Sequence, residues 1–259
     1  MNSRQISLSA DRSKNSVSRS PARLFYTAAA ALLLMLMILG FQHFYLHGKA
    51  YPGRELAPPI RNLLILHGIG MSAWMLLFLF QSLLIVTGNR RIHRMLGRIG
   101  AGLAACIVIL GFRLGIEATL ISPPEVRIWG LSPKQFMVVP IVSILIFAGF
   151  VGIGVWQRRR PEVHRPMMLL ASLAAMSAAV SRIDAISDLY RGTVWEPLFG
   201  PFFSTLAIGA LLFMIKWGLT RSFSRPFALG YAGLVAANVG IIQLATTSAW
   251  DEVASYLLR

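Results

Sequence analysis

The stretch that decides the fold runs from Arg90 to Ile121 and reads RRIHRMLGRIGAGLAACIVILGFRLGIEATLI. Its first nine residues carry four arginines, and the rest is almost entirely apolar apart from Arg113 and Glu117. A helix needs about 20 consecutive apolar residues to cross the hydrocarbon core of a bilayer. Since lipid offers no partners for backbone N–H and C=O groups, such a segment must be helical. The stretch therefore predicts a transmembrane helix that begins at a basic surface.

Six more apolar segments of similar length surround this one. The seven predicted spans cover residues 24–43, 62–87, 98–121, 136–156, 166–188, 198–217 and 227–248. The loops between them are short, which excludes a second, water-soluble domain. We predict that residues 24–259 form one all-α, polytopic bundle of seven transmembrane helices. Residues 1–23, rich in Ser and Arg, are predicted to form a basic, disordered cytoplasmic tail.

The positions of Arg and Lys predict the orientation of the bundle. Sixteen of the 25 basic residues fall in the tail and around the loops after the second, fourth and sixth spans, and only seven fall in the alternate loops and at the C-terminus. Cytoplasmic loops carry such an excess because basic residues are costly to translocate. The N-terminus is therefore predicted to lie inside and the C-terminus outside.

Composition narrows the class of protein and its partners. A chain that is 56% hydrophobic and 14% charged is not an ordinary soluble domain. The net charge of +15 sits at the ends of the spans, which favours contact with anionic lipid headgroups over nucleic-acid binding. The single cysteine, Cys106, excludes an intramolecular disulfide. Phosphate-binding glycine loops, nucleophile elbows and zinc-protease motifs are absent, so the sequence predicts no particular catalysis.

Ionisable side chains inside the predicted spans gather near the outer side. They are His67, Arg113, Glu117, Arg182, Asp184 and Asp188, all within roughly 12 Å of the boundary at 1.5 Å per residue. Arg113 and Glu117 are four residues apart, share a helix face and are predicted to pair. Intramembrane charges mark function by default. We predict a small-ligand or ion site formed by His67, Arg113, Glu117, Arg182 and Asp184; a purely structural ion-pair network is the alternative.

Histidines form a second pattern. His43 and His47 are spaced i, i+4, which would place two imidazoles on one helix face, and His67 would complete a divalent-metal site on the outer side. On the inner side, His93 and His164 are each followed by an arginine. Since histidines from different helices also ligate b-type haem, His67, His93 and His164 are candidate haem ligands. We expect the inner pair to lie in the headgroup layer, where a haem would be poorly buried.

Two turns and one span carry a family resemblance. The span opens with His67-Gly68, contains Gln81 about one turn before its inner end, and leads into the His-Arg-x-Leu-Gly turn that begins at His93. A later Pro-x-x-His-Arg turn ends at Arg165. Residues 62–190 thereby resemble a family of bacterial multi-pass membrane proteins of unknown function. The resemblance implies a location in the bacterial inner (plasma) membrane and points to His67, Gln81, His93 and His164, but it implies no activity.

Three functions remain open from the sequence. The first is an integral inner-membrane protein that binds a small ligand or ion at the outer polar cluster, for transport or sensing. The second is a membrane oxidoreductase subunit that holds b-type haem. The third is a structural or assembly factor whose charges only pack helices together. The cofactor, either haem b or a divalent metal, is the feature that would separate the first two functions.

Overall fold

The computed structural model describes residues 21–51 and 54–259. Its helices are α1 (Pro21–Gly40), α2 (Gln42–His47), α3 (Arg61–Val86), α4 (Arg90–Leu120), α5 (Pro133–Phe136), α6 (Val138–Trp156), α7 (Pro161–Ala174), α8 (Ser177–Val180), α9 (Asp184–Ser187), α10 (Glu196–Phe199), α11 (Phe203–Thr220), α12 (Arg225–Leu244) and α13 (Ser248–Leu257). A small antiparallel pair, β1 (Lys49–Tyr51) and β2 (Arg54–Glu55), follows α2. Apart from this short pair, the regular structure of the described residues is helical, so the fold is all-α, as predicted.

Six helical segments of the described chain are long and apolar enough to cross a membrane, as expected of a multi-pass membrane protein. They are Arg23–Gly40, Pro58–Val86, Arg90–Leu120, Pro133–Trp156, Glu196–Thr220 and Arg225–Leu244. Each of these six segments overlaps one predicted span. The fifth predicted span, 166–188, has no counterpart among them.

Helix α4 departs most from its predicted boundary, since it begins at Arg90 rather than at residue 98. The side chain of Asn89 caps it by accepting a hydrogen bond from Ile92 N–H at 3.4 Å. The arginine cluster is therefore helical. Of the predicted tail, residues 1–20 lie outside the described residues, and residues 21–23 already belong to α1.

The fifth predicted span, 166–188, is not one continuous helix. The chain forms α7, α8 and α9, which are separated by two short turns. At the first turn Met176 N–H bonds to Leu173 O at 2.9 Å, the tighter i−3 pattern of a 3-10 turn. Irregular backbone is tolerated at membrane depth only where protein surrounds it. At the first break Leu173, Ala174, Met176 and Ser177 are buried, whereas Ala178 is exposed.

The broken segment from α7 to α9 runs beside α1. Near the start of α1, Tyr26 and Arg165 border the same cavity. Near its end, a Cβ at Gly40 would collide with the carbonyl group of Ala179, so the two segments touch there. We call the end of the bundle that carries Arg23 and Arg165 the basic end, and the end that carries Gly40 and Ala179 the opposite end. They correspond to the predicted inner and outer sides.

Helix α7 lies at the centre of the bundle and packs against several of the long helices. Trp74 of α3 donates its indole N–H to Ser172 Oγ of α7 at 3.1 Å and packs edge-on against Phe147 of α6. A Cβ at Gly209 of α11 would lie 2.7 Å from Leu173, which shows how closely α11 approaches α7. Small residues allow such contacts between membrane helices. The core therefore fixes the basic ends of α1, α3, α4, α6 and α7 around one space.

Candidate functional site

The predicted pair of Arg113 and Glu117 is confirmed. The guanidinium Nη2 of Arg113 lies 2.6 Å from Glu117 Oε1, and Nε lies 3.2 Å from the same oxygen. The pair sits toward the opposite end of α4. The Arg113 side chain is 64% exposed, so the protein does not enclose it. These charges neutralise each other locally on one helix.

The other members of the predicted outer cluster do not join this pair. Arg182 lies over the ring of Phe41, with its Cζ 4.9 Å from the ring centroid, and donates to the carbonyl of Ala178. Asp188 pairs with Arg191 at 3.1 Å, and Asp184 is exposed at the start of α9. Among the described residues, Asp184 and Asp188 form no ion pair with Arg113. The single polar cluster expected near the outer side is not assembled.

The three-histidine metal site is not formed either. His43 and His47 do share a helix face, with ring centroids 5.9 Å apart. His67 points elsewhere: its Cε1 atom would lie 3.0 Å from a Cβ at Gly111 of α4. In the part of the chain that the structure describes, no three His, Cys, Asp or Glu side chains are grouped closely enough to hold a metal ion. The prediction failed because His67 faces α4 instead of the helix that carries the other two histidines.

The inner histidines, in contrast, come together. The ring centroids of His93 on α4 and His164 on α7 are 6.3 Å apart, and their planes are nearly perpendicular at 89°. His164 Nδ1 lies 2.8 Å from the carbonyl oxygen of Gly154. The carbonyl can only accept, so Nδ1 carries the proton and Nε2 is left with its lone pair. The imidazole of His164 is therefore fixed in tautomer by α6.

Both inner histidines border a cavity of about 620 Å³ at the basic end, which we call the basic-end cavity. Its walls come from α1, α3, α4, α6 and α7 and from the loop between α6 and α7. The cationic and imidazole side chains on the wall are Arg23, Arg90, His93, Arg94, Arg158, His164 and Arg165. The apolar part includes Trp74, Phe78 and Val151, which lie deeper in the bundle. The volume falls within the range of small-molecule and cofactor sites, roughly 300–1,000 Å³.

The charge of this cavity has one sign. Five arginines line it, and none of the described lining residues is Asp or Glu. None of these arginines takes part in the four ion pairs formed among the described residues. The cavity is therefore a concave, cationic site with an apolar interior.

Helices α3 and α4 fix the shape of the cavity wall. Gln81 donates its side-chain N–H to the carbonyl oxygen of His93 at 3.1 Å, which ties the end of α3 to the start of α4. A Cβ at Gly100 would lie 2.8 Å from Leu77, so glycine is what permits the close approach there. Two polar atoms beside the cavity are buried without a hydrogen-bond partner among the described residues: His93 Nδ1 and Gln81 Oε1. Such atoms mark sites that a bound molecule or water satisfies.

No family model matches this chain, and neither a curated protein nor a solved structure matches it significantly. The resemblance to the bacterial membrane-protein family therefore stays a prediction, and the site is interpreted from its own geometry.

Sequence reasoning missed the arginines of the cavity, because it explained them as topogenic charges. A signal was present in their spacing. Arg90, His93, Arg94 and Gly97 on α4 follow the i, i+3, i+4, i+7 pattern of one helix face, and Pro161, His164, Arg165 and Met168 repeat it on α7. Two polar helix faces with the same pattern at the same membrane side predict a shared site between them.

Proposed function

We propose that this protein is a multi-pass protein of the bacterial inner membrane that binds a small ligand in the basic-end cavity. The proposed ligand has an apolar body and one or more anionic groups. The observation that supports this most directly is the set of five arginines and two histidines around one cavity whose described lining contains no carboxylate. The site thus lies at the end of the bundle away from Arg113 and Glu117.

The electrostatics favour an anionic ligand. Guanidinium groups that face one another around a cavity repel, and an anion relieves that repulsion while forming strong charge-assisted hydrogen bonds. Arginine is also the side chain whose fork matches carboxylate and phosphate geometry. The apolar wall below the arginines, including Trp74 and Phe78, would cover the rest of the ligand. A free metal cation or a cationic solute would be repelled from the same site.

The ion pairs at the opposite end are assigned a structural role in this proposal. Arg113 is already neutralised by Glu117, and Asp188 by Arg191. These groups hold the ends of helices and loops in place at the membrane surface, as the alternative interpretation of the sequence suggested.

A fluorescent probe tests the proposed ligand chemistry. Purified protein in a neutral detergent is titrated with a dansyl-labelled medium-chain fatty acid and with its methyl ester, which has the same apolar body without the charge. The acid is expected to bind at least about tenfold more tightly, since a hydrogen bond to a charged group contributes about 1.5–3 kcal/mol. Equal affinity for acid and ester would contradict the proposal.

We also propose seven membrane crossings, with the N-terminus inside and the C-terminus outside. Support comes from the distribution of basic residues and from the broken segment α7 to α9, which accompanies α1 from Tyr26 to Gly40. The segment would then cross the membrane as a broken helix enclosed by the others.

Cysteine labelling tests this topology. Cys106 is replaced by Ser, and single cysteines are introduced as Arg160→Cys and Thr193→Cys, which flank the broken segment. A membrane-impermeant maleimide added to intact cells should label Thr193→Cys and not Arg160→Cys. Labelling of both from the same side would show that the segment enters and leaves the membrane on one side, and that the count of seven is wrong.

A further inference from the structure

The two inner histidines present their remaining nitrogens to the basic-end cavity. Within the described residues, no hydrogen bond reaches Nε2 of His93 or Nε2 of His164, and neither Nε2 atom is among the buried polar atoms that lack a partner. Both Nε2 atoms therefore keep some exposed surface, and both residues line the basic-end cavity. Two accessible imidazole nitrogens from different helices are a potential pair of metal ligands.

The spacing of the rings fits one metal ion held between them. With metal–nitrogen bonds of about 2.0–2.1 Å and ring centres about 1.1 Å behind the coordinating atoms, two imidazoles on opposite sides of one ion have centroids about 6.2–6.4 Å apart. The centroids of His93 and His164 are 6.3 Å apart, which equals this spacing, and ligation additionally requires that the two Nε2 atoms turn toward each other. A bare cation is a poor occupant, because five arginines surround the same space. The occupant must bring its own negative charge.

We propose that the basic-end cavity binds b-type haem, with His93 and His164 as the two axial ligands of the iron. The proposal rests on the proposed function, since haem is an apolar macrocycle with two carboxylates and so belongs to the anionic, amphipathic class inferred there. Neutral imidazole is an ordinary axial ligand of haem iron. The propionates would pair with arginines, and the macrocycle would lie against the apolar wall.

The cavity wall suits a flat macrocycle in two respects. On α4 the residues that line the cavity after His93 and Arg94 are Gly97, Gly100 and Ala101, so α4 itself projects no bulky side chain there. Gln81 and Leu77 of α3 lie against the two glycines, and the macrocycle would therefore occupy the space beside these side chains. On the other side, His164 is held by Gly154 O at 2.8 Å through Nδ1. A histidine that ligates a metal usually donates a hydrogen bond from its other ring nitrogen, because that bond fixes the ring and raises its basicity.

The structure also accounts for the protonation that ligation requires. His164 must carry its proton on Nδ1 to donate to Gly154 O, which leaves Nε2 as the lone-pair nitrogen. His93 Nδ1 has no hydrogen-bond partner among the described residues. Gln81 donates to the backbone carbonyl of His93, and its own Oε1 also has no partner among the described residues. His93 is thus the less constrained ligand, and a small rotation of its ring can align it with the iron.

Haemin titration tests this inference. The full-length protein, purified in a neutral detergent, is mixed with haemin and followed by absorbance and electron paramagnetic resonance. We expect a sharpened, red-shifted Soret band of a six-coordinate low-spin ferric haem. Since the two imidazole planes are nearly perpendicular, the resonance spectrum should be of the strongly anisotropic low-spin type. A high-spin spectrum, or a Soret band unchanged from haemin in detergent, would overturn the inference.

Variants provide matched controls. His93→Ala should lose the low-spin spectrum and bind haemin at least tenfold more weakly, whereas His93→Met, which keeps a ligand for iron, should restore a low-spin species with a higher reduction potential. The control His43→Ala/His47→Ala removes two histidines that also lie close together, and it should leave the spectrum unchanged. Equal spectra for the His93→Ala protein and the wild type would contradict the assignment.

Metal-free protoporphyrin IX separates this inference from the proposed function. It has the same macrocycle and carboxylates as haem but cannot accept axial ligands. His93→Ala should weaken binding of protoporphyrin much less than it weakens binding of haemin, because the metal-free macrocycle forms no bond to the imidazole. If protoporphyrin and the fatty acid bind while haemin gains nothing from His93, the haem assignment is wrong and the anionic site stands. If neither anionic probe binds, both proposals fail.

Discussion

The two ends of the bundle use the same residue types in opposite ways. At the opposite end, cations meet carboxylates: Arg113 with Glu117, Lys134 with Asp251, Arg191 with Asp188, and Lys49 with Glu55. At the basic end, five arginines converge on a cavity and none of them enters an ion pair with a described carboxylate. A cation with a partner is satisfied by the fold itself. The group of arginines without described carboxylate partners around one cavity is the basis of our proposal that an anion from outside the chain binds there.

Intramembrane charge alone therefore did not locate the site. Depth in the membrane suggested the outer groups, where Arg113 and Glu117 lie inside a predicted span. Convergence and lack of neutralisation distinguish the inner groups instead. Substitutions that act on one end and leave the other unchanged test this difference between the two ends.

The largest effect is expected from removing the deep wall of the cavity. Trp74→Ala should lower the free energy of unfolding by about 3–5 kcal/mol, since the buried indole packs on Phe147 and donates to Ser172. Trp156→Ala is the control, because that side chain is 78% exposed to the surroundings of the bundle. Thermal unfolding in detergent measures both variants. Equal losses would mean that the cavity has no rigid wall at Trp74.

A smaller loss is expected at the opposite end, where the broken segment meets α1. Gly40→Ala would push its methyl group into the carbonyl of Ala179, so we expect a loss of about 1–3 kcal/mol. Gly102→Ala is the matched control, because a Cβ there meets nothing within 4 Å. The same unfolding assay compares them. An equal free energy of unfolding for Gly40→Ala and Gly102→Ala would show that α8 does not pack closely against α1.

Neutralising one arginine at each end separates binding from structure. Arg165→Gln should weaken binding of the dansyl-labelled fatty acid by about 1–2 kcal/mol, roughly 5–30-fold, because it removes a charge from the cavity wall. Arg113→Gln should leave that affinity unchanged, since its charge is already neutralised by Glu117. Fluorescence titration of the two variants gives the comparison. Loss of binding in Arg113→Gln would place the ligand at the wrong end.

The smallest effect concerns Tyr190 at the opposite end, whose hydroxyl donates to Gly200 O at 3.0 Å. Tyr190→Phe should cost about 0.5–1.5 kcal/mol and leave ligand binding unchanged. Burial raises the pKa of Tyr190 from 10.0 to about 12, although Arg191 opposes the shift. Because the pKa of Tyr190 is higher in the folded state, the neutral hydroxyl stabilises the fold fully below pH 10. That contribution is lost as the pH rises through 12. Urea unfolding at several alkaline pH values should show a smaller loss of stability in Tyr190→Phe than in the wild type.

Most of the helical framework could be predicted because it follows from local hydrophobicity. The apolar runs and basic clusters locate α1, α3, α4, α6, α11 and α12 to within a few residues, except at the start of α4. There the arginines were assigned to a loop, although Asn89 supplies a helix cap. The breaks between α7, α8 and α9 have no local signal such as Gly or Pro. After the first break, Ala179 of α8 lies against Gly40 of α1, a contact between distant parts of the chain that local hydrophobicity does not predict.

The candidate site was harder to predict, because it depends on which helices become neighbours. His93 and His164 are 71 positions apart in sequence and were expected in the headgroup layer because arginines flank them. In the structure those arginines line the wall of the same cavity as the histidines. His67 and Asp184 were grouped by depth alone, and depth does not specify the direction in which a side chain points.

Native mass spectrometry of protein taken directly from its own membranes tests most directly whether the basic-end cavity binds an anionic, amphipathic molecule. The wild type, Arg94→Gln/Arg165→Gln and Arg113→Gln are purified in parallel in a neutral detergent, and any retained molecule is released and identified. We predict one anionic, amphipathic molecule on the wild type and on Arg113→Gln, and its loss from Arg94→Gln/Arg165→Gln. A wild-type protein without any such molecule, or equal retention by all three proteins, would contradict an anion-binding cavity at the basic end.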